Sequence, residues 1–134
     1  MSEVIGKRVL LWGEPGGELE VLADSLGRRG MQVREGLSAG ELYAAARSGE
    51  ADLIVARLCR GFHPSLELLT RLRGLAAALP VVVVTDDVPL YLEALRRGAF
   101  DCVALPLNEA ELTRIVSRAL ESKRRDHFAA GARK

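Results

Sequence analysis

Arg57 closes a short apolar run, Leu53-Ile-Val-Ala, which suits a strand buried on both faces of a parallel sheet. In open α/β sheets, binding and catalytic groups gather just beyond the carboxyl ends of the strands. A guanidinium at that place is permanently cationic and only donates hydrogen bonds. It can hold an anion or pair with a carboxylate; it cannot serve as a nucleophile. Acids stand at comparable positions elsewhere: Glu14 behind the first strand, and Asp86-Asp87 behind Thr85 at the end of the fourth. A direct Arg57–Glu14 ion pair would form an internal lock. The alternative leaves Arg57 pointing to solvent with its stem along the surface. Asp86 and Asp87 either add a second anchor for Arg57 or begin the next helix, where their charge favours its dipole.

Other candidates are weaker. Gly13-Glu-Pro-Gly-Gly17 is glycine-rich but has neither the Walker lysine nor GxGxxG, and Glu14 would repel a phosphate. A tight strand-to-helix turn explains it. Trp12 either fills core space or stacks under Arg57. His63 and His127 are isolated, without partners for metal or catalysis. Cys59 and Cys102 have no metal or redox spacing and are expected to stay reduced.

The elements that must position these residues are legible in order. Lys7–Trp12 is a first strand. Glu18–Arg29 places Leu19, Leu22, Ala23 and Leu26 at helical spacing, with Gly30 as its cap. Met31–Glu35 alternates as an edge strand. Ser38 with Glu41 forms a capping box for a helix carrying Leu42, Ala45 and Ala46, ending near Ser48-Gly49. The buried strand 52–57 follows. Pro64 or Ser65 opens a helix with Leu66, Leu69, Leu72 and Leu75 on one stripe, ending before Pro80. Val81–Thr85 is the clearest central strand. Pro89 fits the first turn of a helix to Arg97, capped by Gly98. Asp101–Leu105 is the fifth strand, and Asn108 with Glu111 starts a last helix turning Leu112, Ile115, Val116 and Ala119 inward. Five strands alternating with five helices predict a doubly wound five-stranded parallel sheet.

The 134 residues make one domain, with residues 1–121 as its body and 122–134 as a flexible tail or the start of a linker. Net charge +1 gives no reason to expect nucleic-acid or anionic-membrane binding. No apolar stretch approaches a membrane span, and Met1–Arg8 lacks a signal-peptide layout, so the expected compartment is the cytoplasm.

At Leu79-Pro-Val-Val-Val-Val-Thr85 and Arg97-Gly-Ala-Phe-Asp-Cys-Val-Ala-Leu-Pro-Leu107 the chain resembles the receiver domain of two-component response regulators. Asp52-Leu-Ile-Val-Ala and Leu66-Glu-Leu-Leu-Thr-Arg-Leu72 resemble that family's third strand and third helix. The likeness covers Lys7–Glu121. It implies the (βα)5 flavodoxin-like fold with strand order 2-1-3-4-5, and a cis peptide at Leu105–Pro106, an isomer that X–Pro bonds adopt at little cost. In that order the two cysteines lie about 10 Å apart, which disfavours a disulfide.

The departures from the family are informative. The metal-binding acidic pair after the first strand reads Gly13 and Glu14. The phosphoryl-accepting aspartate is Arg57; Thr85 keeps the hydroxyl; the lysine before Pro106 is Leu105; the aromatic switch residue is Cys102. Phosphoryl transfer needs a carboxylate nucleophile and a divalent ion. A guanidinium about 4 Å from Mg²⁺ is repelled by roughly 8 kcal/mol at an effective dielectric of about 20. The expectation is a degenerate pocket (Gly13, Glu14, Arg57, Thr85, Leu105) without metal, cofactor or enzymatic activity.

Such a module is expected to regulate through protein contact, with another protein or a fused output domain. The resemblance implies a partner or homodimer face on the last two helices and fifth strand, here Tyr91, Arg96, Arg97, Cys102, Arg114 and Arg118. The alternative is a sensor holding a small anion near Arg57 and Thr85. A flavin enzyme is disfavoured by the missing phosphate loop and sparse aromatics.

Overall fold

A computed structural model describes residues 4–13, 16–59 and 65–132, with side chains for 4–13, 16–59 and 66–122. Strands and helices alternate: β1 (Arg8–Gly13), α1 (Gly17–Arg28), β2 (Gln32–Arg34), α2 (Ala39–Arg47), β3 (Leu53–Arg57), α3 (Ser65–Leu75), β4 (Val81–Thr85), α4 (Val88–Arg96), β5 (Asp101–Ala104) and α5 (Glu109–Ala132). All strand pairs are parallel, in the order β2-β1-β3-β4-β5. The predicted architecture and strand order are those observed.

The core divides by strand alternation. Ile54, Ala56, Val81 and Val83 face a layer that includes Leu42 of α2, Leu69 of α3 and Ala94 of α4. Val55, Val82, Val84 and Val103 face Leu19 and Leu22 of α1 and Leu112 and Val116 of α5. All five residues of β3 and of β4 are buried, and the first four of each form an unbroken apolar run. Each large aliphatic side chain buried there contributes roughly 1.5–3 kcal/mol.

The caps form as their residue types dictate. Ser38 Oγ accepts the Glu41 N–H at 3.1 Å and the Glu41 carboxylate accepts the Ser38 N–H at 2.8 Å. A Ser38→Ala variant should lose about 1 kcal/mol in urea unfolding. Asn108 caps α5 through the Glu111 N–H at 3.0 Å.

Two elements differ from expectation. In α3 the fully buried residues are Leu68, Leu69 and Leu72, while Leu66 is only partly buried. Strict three-residue spacing drifts around a helix by about 60° per step, so a 66/69/72/75 stripe cannot face one neighbour throughout. In α5 the inward face ends at Leu120, and the backbone runs on as helix to Ala132. Residues 121–130 contain neither proline nor glycine, which leaves nothing to stop the helix earlier.

Candidate functional site

Backbone register places Arg57 at the sheet's centre. Its Cα pairs with Gly13 on β1 and Val84 on β4, and alternation turns its side chain toward the α1/α5 layer. Gly13 makes this approach feasible. A Cβ at Gly13 would stand 2.9 Å from both the Cβ and the carbonyl oxygen of Arg57. The absence of an acid at position 13 is therefore also a packing requirement of the strand tip.

The Arg57 side chain is 9% exposed, and its partner is Glu18 in the first turn of α1. Arg57 Nε and Nη2 both donate to Glu18 Oε1, at 2.8 and 2.5 Å. Nη1 donates to the carbonyl oxygen of Leu58. Nη2 also lies 3.9 Å from Asp86 Oδ1. One buried cation thus ties together the start of α1, the segment after β3 and the segment between β4 and α4. The expected lock exists with Glu18 as the described partner; Glu14 lies outside the described residues. Sequence reasoning missed Glu18, although a carboxylate in a first helical turn is a recognisable signal. The solvent-pointing alternative for Arg57 does not hold.

Asp86 and Asp87 divide the two roles considered for them. Asp87 caps α4, its Oδ1 accepting the Leu90 N–H at 3.0 Å. Asp86 is the more distant acid of Arg57. Among the described groups, one cation faces two carboxylates, so the site offers an incoming anion net repulsion. This weighs against an anion-binding sensor.

The other pocket residues disperse. Thr85 is buried, and strand alternation from Val84 directs it to the sheet face opposite Arg57. Its Oγ1 accepts the Asp87 N–H at 3.2 Å. Leu105 is partly buried against the α1/α5 core layer, and the Leu105–Pro106 bond is cis. Trp12 pairs with Ala56 in register and packs in the α2/α3/α4 layer. It fills core space on the face opposite Arg57, so the stacking alternative is corrected. A cleft of about 380 Å³ opens instead beside β1 and β2, lined by Leu11, Trp12, Leu19, Glu20, Glu35 and Leu37 among others. Neither Arg57 nor Thr85 lines it. His63 lies outside the described residues, as does the side chain of His127.

The expected partner face needs correction at two positions. Cys102 is buried, 1% exposed, and cannot meet a partner. Arg97 turns toward α3, donating to Thr70 Oγ1 at 3.2 Å and to Glu93 at 3.1 Å. Tyr91 is partly buried; burial raises its hydroxyl pKa, as do Asp101, Cys102 and Glu111, which places it toward β5 and α5. Arg96, Arg114 and Arg118 are exposed. An apolar stripe was missed: Val88, Leu92 and Leu95 of α4 recur at helical spacing and are 68, 57 and 38% exposed. The signal was present in the sequence as an i, i+4, i+7 pattern on the helix that Pro89 opens.

Among the described residues, no disulfide joins Cys59 and Cys102. Burial, with the Asp101 carboxylate, pushes the Cys102 thiol up to about 12 from 9.0. The folded state therefore favours the protonated thiol, and its contribution is complete below pH 9.0 and lost between there and about 12. A Cys102→Ala variant should show a shallower loss of stability over that alkaline window in denaturant titrations. Among the described residues, no cluster of His, Cys, Asp or Glu has the composition of a metal site. No described helix is long and apolar enough to cross a membrane.

No protein-family model matches the chain. It is 31% identical over 104 residues to the DNA-binding transcriptional regulator NtrC of Azospirillum brasilense, spanning 76% of this chain and 22% of that protein. It is 30% identical over 123 residues to NtrC of Rhizobium meliloti, spanning 90% of this chain and 25% of the relative. The chain thus spans about a quarter or less of these relatives' length. Among solved structures, the receiver domain of NtrX from Brucella abortus superposes with a TM-score of 0.75 at 25% identity, covering 84% of this chain and 98% of that one. A CheY-like response regulator receiver domain protein from Methanospirillum hungatei gives a TM-score of 0.77 at 20% identity, covering 90% and 98%.

Proposed function

We propose that this chain, a CheY-like receiver domain of the response-regulator type, signals through protein contact, independently of aspartyl phosphorylation. The observation that carries this reading is the buried Arg57–Glu18 pair at the tip of β3. A carboxylate must stand there to accept a phosphoryl group, with a divalent ion beside it. Arg57 supplies neither nucleophile nor metal ligand, and its charge opposes the ion. Its bonds hold the surrounding segments without either. The domain is a regulatory module and performs no catalysis.

The contact surface is the outward side of α4 with α5. Val88, Leu92 and Leu95 provide the apolar centre, and Arg96, Arg114 and Arg118 the polar rim. The relatives named above are DNA-binding transcriptional regulators several times longer. That supports an output domain, fused or separate, as the partner, working in the cytoplasm without direct nucleic-acid contact by this module. A second copy of this chain is the other occupant that the surface suits. Leu92→Arg should weaken output-domain binding or self-association by at least about tenfold without lowering thermal stability.

Trp12 reports on metal binding, because it neighbours Gly13 at the strand tips. Titration with Mg²⁺ into the millimolar range should leave its fluorescence without a saturating change. A saturating response that Arg57→Asp strengthens would indicate a working metal site and defeat the proposal.

A further inference from the structure

We infer that the cleft beside β1 and β2 binds a small organic cation, an ammonium or guanidinium group carried on an apolar stem. The site is separate from the Arg57–Glu18 pair, neither member of which lines the cleft.

The cleft exists because two neighbouring strands differ in length. β1 runs on to Gly13, whereas β2 ends at Arg34, whose partner in register is Leu10. Leu11, Trp12 and Gly13 therefore stand beyond the last β1–β2 pair. Past β2, Gly36 turns the chain at φ +80°, a left-handed conformation that glycine adopts without strain, and leads into the start of α2. The space left open is about 380 Å³, the size of a small-molecule site.

Its lining combines two chemistries. Leu11, Trp12 and Leu19 are buried members of the core layers, and Leu37 packs beside them, so the apolar wall is held by the fold. The charged residues of the lining are Glu20 and Glu35, both exposed, and no basic residue is among them. Arg34 adjoins Glu35 in the chain but is paired with Glu50 at 3.0 Å. Glu20 stands in the first turn of α1, where the helix dipole favours its ionised form. The start of α2 is already closed by the Ser38–Glu41 capping box and is not free to hold an anion. A ligand with an apolar stem covers the leucines and Trp12, while its cation meets two carboxylates; an anion on the same stem meets repulsion from both.

Titration of the full chain with hexylamine tests this, with hexanol and hexanoate as neutral and anionic probes of equal stem length. The readouts are the indole N–H signal of Trp12, the chain's one tryptophan, and the methyl signals of Leu19 and Leu37. Leu69, in the α3 core, is the control. Hexylamine in the millimolar range should shift the cleft signals to saturation without moving Leu69. Its affinity should exceed that of hexanol and of hexanoate by at least about fivefold, and the Glu20→Gln, Glu35→Gln double variant should remove this preference. Both glutamates are exposed, so the double variant should keep the wild-type Leu69 signals. No saturating shift with hexylamine, equal affinity for the three probes, or a preference that survives in the double variant would overturn the inference.

Discussion

Gly13→Ala should destabilise the domain by about 1–3 kcal/mol, because the added methyl group meets the backbone and Cβ of Arg57 at the centre of the sheet. Neither contact is the flexible end of a side chain, so the strands themselves must separate. The penalty should persist in an Arg57→Met background, where the Cβ and the carbonyl oxygen remain. Gly13→Asp, which restores an acid at this position, should cost at least as much. Urea unfolding checks all three. A Gly13→Ala variant as stable as wild type would show that β1 and β3 are not in this register at their tips.

Arg57 and Glu18 should behave oppositely on replacement. Glu18→Ala leaves the buried guanidinium, among the described groups, with the distant Asp86 and the Leu58 carbonyl, and is expected to lose about 1–3 kcal/mol. Arg57→Met exchanges the cation for an apolar chain of similar length among Leu11, Leu19 and Val84, and should be neutral or stabilising. The double variant should recover most of the stability lost by Glu18→Ala, a non-additivity diagnostic of a coupled pair. If both single variants lose the same amount and the double loses their sum, the pair is not the site's organising interaction. Glu18 is half exposed, which keeps its cost below that of a fully buried charge.

The fold was legible because its signals are local. Val81–Val84 and Leu53–Ala56 announce central strands by apolar continuity, and Ser38 with Glu41 marks a helix start by spacing alone. The strand order came from the resemblance, since alternation of strands and helices does not fix which strands are neighbours. The site was legible only in part. Arg57 was found because it interrupts an apolar pattern at a strand end. Its described partner was not, because whether Glu18 in the first turn of α1 reaches β3 depends on how α1 sits over the sheet, a tertiary fact. Gly13 reads as a turn residue until the register shows what a Cβ would strike. Cys102 was placed on a surface by family position, yet strand alternation beside Val103 sends it into the α2/α3/α4 layer. Arg97 was grouped with its neighbours on α4, whereas its bond to Thr70 turns it toward α3. Long side chains choose among several surfaces, and helical position alone does not say which.

Intact mass after incubation with acetyl phosphate and Mg²⁺ is the most direct measurement of phosphorylation independence. The chain should keep its mass, with no phosphoryl group gained on any aspartate. A stoichiometric, acid-stable and base-labile increase by one phosphoryl group would contradict the account, since it would require an acceptor and a metal site that the Arg57–Glu18 pair excludes.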